Sequence, residues 1–327
     1  MDISRKSFLA GTAAAAALAA GASPALVEAS PSTGLTFTTL RDGNFDHLGV
    51  RTPDGIVDIQ RAGHGLGINT LPKTIEDVIN GRGSVSALHR VVAHAPKSSL
   101  RNEASVQYGP LVSSPEKILC VGLNYRAHLA ETNQKPQPYP DLFNKYNTAL
   151  NRHNGTVAVS TLPLTQFDYE SELVIIMGRE ARNVSEAEAL NYVFGYACGN
   201  DFTARDAQLR VSQWMTGKTP DQFAPLGPWL VSADQISDPQ TLQIQTFVND
   251  ETTPRQDMNT SEMIFGCAKI ISYMSEFITL RPGDVIYSGT PSGVILGYPK
   301  DKQVWLKAGD RITTKISKLG TLQFTLV

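Results

Sequence analysis

The 327-residue sequence lacks the short motifs of several large enzyme classes. It contains no G-x-S-x-G, no H-E-x-x-H and no G-x-x-x-x-G-K-[ST]. These absences argue against nucleophile-elbow serine hydrolases, zincins and P-loop nucleotide hydrolases. There is also no internal repeat and no low-complexity tract beyond the alanine-rich first residues.

Cysteine is scarce, and charges of the two signs are balanced. The 3 cysteines include no C-x-x-C and lie in apolar contexts, so we expect small buried side chains and no disulfide framework. The net charge is -2 without a basic block, which argues against nucleic acid as a partner. Hydrophobic residues at 41% predict a core large enough to fold without a structural metal.

Residues 1–29 have the layout of an export signal. Arg5 and Lys6 precede an apolar, alanine-rich run over 8–20, followed by small residues that suit cleavage. The run is too short for a comfortable membrane span. Residues 4–10 are similar to a bacterial twin-arginine signal in which lysine replaces the second arginine. We therefore expect a periplasmic or secreted protein with no membrane attachment after signal removal; a cytoplasmic protein with a disordered leader is the alternative.

Residues 30–112 are predicted to form a small, separate N-terminal α+β domain. Runs typical of β-strands are interrupted there by two Asp-Gly turns. One helix is predicted to start at Thr74 and a second to cover residues 85–93. No catalytic constellation occurs in this segment. A Ser-Ser-Pro-Glu linker follows, and residues 113–327 are predicted to be the catalytic domain.

Two more helices are predicted in the second part of the chain. Ser185 and Glu188 have the spacing of a capping box, which predicts a helix to about Tyr192. Asn259 or the threonine after it is predicted to cap a long amphipathic helix whose apolar stripe begins at Met263. We expect that stripe to pack into the core.

Three carboxylates stand beside apolar segments and are candidate metal ligands. Glu170 and Glu172 precede a continuous apolar run, and because side chains alternate along a strand they point to the same face. Two such carboxylates repel each other unless a cation compensates them, and a hard divalent cation bound by oxygen would do so. Asp201, at the end of the next apolar segment, would complete the ligand set for Mg²⁺ or Mn²⁺. The alternative is a solvated strand end with ordinary surface glutamates.

His128 and Glu131 are the candidate acid–base pair. They lie three positions apart in a predicted short helix, so they are neighbours on one face. A carboxylate beside an imidazole fixes its tautomer and raises its basicity, which suits a general base acting on water. By spacing alone, an exposed pair without a catalytic role is the commoner explanation. An irregular loop over residues 133–139 follows and is a candidate lid.

Together these motifs resemble those of the fumarylacetoacetate hydrolase family over residues 115–327. In chain order the matching segments are Gly122-Leu123-Asn124-Tyr125-Arg126-Ala127-His128 with Glu131, Asp168-Tyr169-Glu170-Ser171-Glu172-Leu173, Asn200-Asp201-Phe202-Thr203-Ala204-Arg205-Asp206, Gly217-Lys218 with Phe223-Ala224-Pro225-Leu226-Gly227-Pro228-Trp229, and Ser288-Gly289-Thr290-Pro291. Each segment is a weak signal alone, and their shared order makes the combination specific. The segment before residue 113 is similar to the small N-terminal domain of many bacterial members.

The resemblance implies a fold and a set of roles. The fold would be α+β and mostly β: a mixed, mainly antiparallel β-roll with peripheral helices, commonly a homodimer. The three carboxylates would hold one Mg²⁺ or Mn²⁺, His128 and Glu131 would activate water, and Lys218 would stabilise developing negative charge. By the same matching, the residues near the substrate would be Tyr125, Arg205, Gln208 and Thr290, the last at its carboxylate.

The implied activity is metal-dependent hydrolysis of a C–C bond in a small oxo acid, an acylpyruvate or fumarylpyruvate-like 2,4-dioxo acid. Water activated at His128 would attack the 4-carbonyl, and an enolate stabilised by the metal and Lys218 would leave. Oxaloacetate decarboxylation or a hydroxymuconate-type isomerisation or decarboxylation on the same metal-enolate platform is one alternative. A non-enzymatic dicarboxylate-binding protein is another. The His–Glu pair favours hydrolysis, because decarboxylation needs no activated water.

Overall fold

The computed structural model describes residues 33–327. The predicted export signal lies outside the described residues. Between residues 33 and 327, no helix has the length and apolar character needed to cross a bilayer.

The described chain contains twenty strands and seven α-helices, numbered here in chain order. The strands are β1 (Thr36–Asp42), β2 (Phe45–Thr52), β3 (Gly55–Asp58), β4 (Leu100–Arg101), β5 (Gln107–Tyr108), β6 (Ile118–Gly122), β7 (Asp141–Lys145), β8 (Leu150–Asn151), β9 (Gly155–Val157), β10 (Phe167–Asp168), β11 (Ser171–Met177), β12 (Val193–Asn200), β13 (Thr203–Ala204), β14 (Ala224–Pro225), β15 (Leu230–Ser232), β16 (Gln243–Val248), β17 (Gln256–Asn259), β18 (Val285–Tyr287), β19 (Arg311–Ile316) and β20 (Gly320–Leu326). The helices are α1 (Ile59–Gly65), α2 (Ile75–Ile79), α3 (Val85–Ala93), α4 (Arg126–Glu131), α5 (Arg205–Gln208), α6 (Met215–Lys218) and α7 (Cys267–Phe277).

Two large sheets dominate the fold. The first has eleven strands in the order β4-β3-β2-β1-β15-β12-β11-β18-β6-β7, with β5 paired to β1. The second has five strands in the order β17-β16-β19-β20-β9. Most neighbours are antiparallel, but β18 and β6 run parallel, as do β20 and β9. These sheets confirm the predicted strand-rich, mixed α and β fold.

Strand β11 is buried on both faces of the larger sheet. Its residues Leu173, Ile175 and Met177 belong to one apolar cluster, which also contains side chains of α7. Val174 and Ile176 belong to a second cluster, shared with α1, α2 and α3. A strand covered on both faces needs apolar residues at every position, which explains the uninterrupted run in the sequence.

The N-terminal segment shares its sheet and its core with the rest of the chain. Strand β1 pairs with β15, placing Thr36 opposite Val231 and Phe37 opposite Leu230. The predicted helices at Thr74 and over residues 85–93 are confirmed as α2 and α3. The sheet continues across the linker, so the structure does not show the separate module that we expected. The division at residue 112 stays a prediction.

The predicted capping box at Ser185 does not begin an α-helix, so that prediction was wrong. The Ser185 hydroxyl donates to the Glu188 carboxylate at 2.8 Å and caps no backbone N–H. Only a single turn of 3₁₀-helix forms, over Ala189–Tyr192.

The predicted start of the long amphipathic helix was also wrong. Thr260 accepts a hydrogen bond from the N–H of Leu242 at 2.9 Å and donates to the carbonyl of Pro239 at 2.7 Å. These long-range bonds fix a short 3₁₀ turn, and α7 begins only at Cys267. Met263 still joins the apolar cluster around α7, as its position in the stripe predicted.

Candidate metal and acid–base site

A cavity of about 190 Å³ opens where β11 begins and β12 ends. Eight of the ten predicted site residues line it: His128, Glu170, Glu172, Asp201, Arg205, Gln208, Lys218 and Thr290. Glu131 and Tyr125 do not line it. The sequence motifs, which are spread over more than 160 positions, therefore converge on one place.

The three carboxylates meet because β11 and β12 pair antiparallel. Glu172 lies opposite Gly199, and the Asp201 N–H donates to the carbonyl oxygen of Glu170 at 2.8 Å. One oxygen from each carboxylate lies within 4.8 Å of the others. Their exposed fractions are 5%, 2% and 1% for Glu170, Glu172 and Asp201. The interpretation as solvated surface glutamates is therefore wrong.

Cationic side chains compensate two of these carboxylates. Lys218 Nζ lies 2.5 Å from Glu170 Oε2 and 2.8 Å from Asp201 Oδ2. Arg205 Nη1 lies 2.7 Å from Glu170 Oε1, and Lys145 forms an ion pair with Asp201. Burial alone raises the pKa of Glu170, but the nearby charges of Lys218 and Arg205 outweigh it and hold that pKa below its usual value.

Glu172 is the carboxylate that still needs a cation. It accepts the N–H of Gly289 at 2.7 Å, and in the described part of the chain it forms no ion pair. Burial and the charges of Asp201 and Glu170 raise its pKa well above the usual value. A divalent cation would relieve this repulsion, and three carboxylate oxygens are the donors that Mg²⁺ and Mn²⁺ prefer. The residues present therefore fit such a metal.

His128 is buried, Glu131 is partly buried, and hydrogen bonds fix both side chains. His128 Nδ1 lies 2.7 Å from Glu131 Oε1 on α4, and His128 is only 5% exposed. Glu131 Oε2 accepts the N–H of Gly293 at 2.8 Å. Gly293 has φ 105°, and a Cβ there would overlap the carbonyl oxygen of Arg255. With Nδ1 donating to Glu131, Nε2 is the nitrogen that can accept a proton. The alternative of an exposed pair is wrong.

Asp168 is a buried residue beside the cavity and was not among the predicted site residues. It accepts hydrogen bonds from the N–H groups of Ile295 and Leu296, at 2.9 and 3.0 Å, and from Arg205 Nε at 2.9 Å. It therefore joins Arg205 to the segment that carries Gly293. The signal was available, because Asp168 extends the alternate spacing of the two strand glutamates.

Lys145 was also missed, and its signal was weaker. It ends β7, is fully buried, and donates to the carbonyl oxygens of Phe202 and Phe223 at 3.2 and 2.6 Å. A lysine is seldom buried without an acidic partner. That partner, Asp201, is distant in sequence, so no local pattern identified the pair.

Of the other predicted residues, Thr290 and Gln208 line the cavity and Tyr125 does not. Thr290 Oγ1 donates to the Ser171 carbonyl at 3.0 Å and accepts from Gln256 at 2.8 Å. Gln208 Oε1 accepts from Arg205 Nη1 at 2.9 Å. Tyr125 is fully buried outside the cavity lining, and its hydroxyl has no partner among the described residues.

A second group of possible ligands, Asp42, His47 and Asp58, needs no metal. Arg101 pairs with Asp42 at 2.8 Å and with Asp58 at 3.5 Å. The negative charge there is already compensated by a side chain.

We expect Asp168→Asn to weaken Mn²⁺ binding by about 10–100-fold, because Asp168 fixes Arg205, which pairs with the candidate ligand Glu170, and the loss of such an outer partner usually has an effect of this size. Arg205 would lose one of its two carboxylate partners, and the Asn NH₂ group would face backbone donors. The measurement is calorimetric titration of metal-free protein. Asp221→Asn, at an exposed position, serves as the control. Unchanged Mn²⁺ affinity in Asp168→Asn would contradict the role given to Asp168.

The fold and this site define an enzyme class that combines a carboxylate site for a divalent cation with a His–Glu acid–base pair. The chain belongs to the fumarylacetoacetate hydrolase family. Residues 117–327 match the family model described as "Fumarylacetoacetate (FAA) hydrolase C-terminal".

Known relatives carry several activities. The chain is 43% identical over 220 residues to 2,4-didehydro-3-deoxy-L-rhamnonate hydrolase of Sphingomonas sp. (strain SKA58), covering 67% of this chain and 76% of the relative. It is 35% identical over 284 residues to the mitochondrial oxaloacetate tautomerase FAHD2A of Homo sapiens, covering 84% and 86%. Among solved structures, maleylpyruvate hydrolase from Sphingobium sp. SYK-6 in complex with manganese(II) and pyruvate matches with TM-score 0.70 and 30% identity, covering 89% of this chain and 98% of that one.

Proposed function

We propose that this protein is a divalent-metal-dependent hydrolase that cleaves a C–C bond in a 2,4-dioxo acid of the acylpyruvate type. The observation that carries the proposal is the hydrogen-bonded His128–Glu131 pair, whose imidazole lines the cavity that contains the three carboxylates. A water-activating base next to a metal site is what such a hydrolysis requires. The hydrolases among the relatives support the same assignment.

Several residues of the cavity have separate roles in the proposed reaction. When bound at the three carboxylates, Mg²⁺ or Mn²⁺ would supply Lewis-acid polarisation of the substrate oxygens. His128 Nε2 takes a proton from water while Glu131 stabilises the resulting imidazolium. The oxygen adds to the 4-carbonyl carbon, the C3–C4 bond breaks, and its electron pair stays on C3. Lys218 supplies positive charge to this developing enolate. The imidazolium of His128 then returns its proton to C3, which gives pyruvate beside the carboxylic acid and restores the neutral base.

Oxaloacetate tautomerisation is the second candidate. The human relative bears that name and is covered over 86% of its length. Tautomerisation moves a proton between carbon and oxygen, so it needs an acid–base group and a stabilised enolate but no water. His128 and Lys218 could supply these functions in the same cavity. The two candidates therefore differ in whether water is consumed.

We expect metal-free protein reloaded with Mn²⁺ to release pyruvate from acetylpyruvate. Glu170→Ala should reduce the rate by on the order of 100-fold or more, because the Lewis-acid contribution is several kcal/mol. Pyruvate formation is followed directly, with Glu262→Ala, at an exposed position, as the matched control. Intact Mn²⁺ binding without pyruvate release would reject the hydrolase and favour the tautomerase.

A further inference from the structure

The cavity offers charge compensation for one substrate carboxylate but not for two. Its lining contains two permanently cationic side chains, Arg205 and Lys218. Lys218 is paired with Glu170 and Asp201, and Arg205 with Glu170 and Asp168. One donor is left over, because Arg205 Nη2 is buried without a partner among the described residues. A second substrate carboxylate would add negative charge without finding a free cation.

The wall above these ionic groups is apolar and partly open to solvent. Phe143 and Trp214 pack edge to face at 5.4 Å, and Leu123 and Leu296 also line the wall. Leu209 lies at the mouth with 59% of its surface exposed. The ionic groups are buried and the wall is not, so the end of a substrate remote from the metal site would lie against these apolar side chains.

The neighbouring polar groups do not supply the missing cation. Thr132 and Gln134 line the cavity but are uncharged. Arg210, next to Leu209, donates to the backbone carbonyl of Asp206 at 2.9 Å and is not part of the lining. The cavity volume of about 190 Å³ is below the roughly 300–1,000 Å³ of pockets for drug-sized ligands. The space suits a short acyl group.

We propose that the substrate carries a single carboxylate, at the ionic end of the cavity, and a short uncharged acyl group against the wall of Leu123, Phe143, Leu209, Trp214 and Leu296. Oxo acids with a second, distal carboxylate are selected against. This inference rests on the proposed function and narrows its substrate class.

The first test compares two inert 2-oxo acids of equal length. 2-Oxopentanoate and 2-oxoglutarate share the same carboxylate and 2-oxo group and differ only in a terminal methyl or carboxylate. Calorimetric titration of the Mn²⁺-loaded protein should show at least about tenfold tighter binding of 2-oxopentanoate, since a distal carboxylate would be desolvated without a partner. Equal or tighter binding of 2-oxoglutarate, or no binding of either acid, would overturn the proposal.

The second test introduces a positive charge into the apolar wall of the cavity. Leu209→Arg should tighten 2-oxoglutarate binding by about tenfold or more, whereas Leu190→Arg, at an exposed position outside the cavity lining, should leave the preference for 2-oxopentanoate unchanged. Both positions are exposed, so both variants are expected to fold. A Leu209→Arg variant without effect on 2-oxoglutarate binding would contradict the placement of the distal group. Because binding is measured without turnover, failure of this inference is separate from failure of acetylpyruvate hydrolysis.

Discussion

Replacing His128 by glutamine is expected to lower the rate of C–C hydrolysis by about 10²–10⁴-fold, the usual contribution of a positioned general base. Glutamine retains polarity but cannot take a proton from water. Because His128 forms its hydrogen bond with Glu131 and none with the three candidate metal ligands, Mn²⁺ affinity should not change. The measurements are steady-state pyruvate formation from acetylpyruvate and calorimetric titration with Mn²⁺.

The same variant separates hydrolysis from oxaloacetate decarboxylation. Decarboxylation of oxaloacetate needs no activated water, so any such activity should survive in His128→Gln while hydrolysis is lost. His64→Gln, at an exposed position, controls for the substitution itself. Equal loss of both activities would contradict the assignment of His128 as the base that acts on water.

Glu131 links His128 to a part of the chain that is distant in sequence. Its two oxygens serve different partners, His128 Nδ1 and the Gly293 N–H. In the proposed mechanism it positions the imidazole and stabilises it when protonated, and both functions depend on a loop near the other end of the chain. Sequence spacing predicted the contact with His128 because the two lie on one helical turn. It could not predict Gly293, whose N–H is brought there only by the fold.

The candidate metal ligands also show which features local rules predict and which only the fold determines. Glu170 and Glu172 could be assigned to one face because strand alternation is a local rule. Asp201 could be added because the strand before it ends there. The cations could not be placed from local rules, since Lys145 meets Asp201 across an interval of more than fifty residues. Long-range hydrogen bonds likewise overrode the local helix signal at Thr260.

Lys145→Met is expected to lower the free energy of unfolding of the metal-free protein by about 3–5 kcal/mol, the usual cost of removing one partner of a buried ion pair. Lys145 and Asp201 have side-chain exposures of 0% and 1%. Methionine fills similar space, but it leaves Asp201 with less positive charge nearby. The carbonyl groups of Phe202 and Phe223 also lose the donor they share. Urea denaturation at neutral pH measures the difference.

An exposed lysine provides the matched control for Lys145→Met. Lys269 lies 3.9 Å from Glu186 with 42% of its side chain exposed, so Lys269→Met should change stability by less than about 1 kcal/mol. Adding Mn²⁺ should recover part of the stability lost in Lys145→Met, because a cation that binds only the native state stabilises it and also restores positive charge beside Asp201. A loss as small as that of the control would show that Lys145 is not needed to hold the acidic site together, and Lys218 alone would then compensate Asp201.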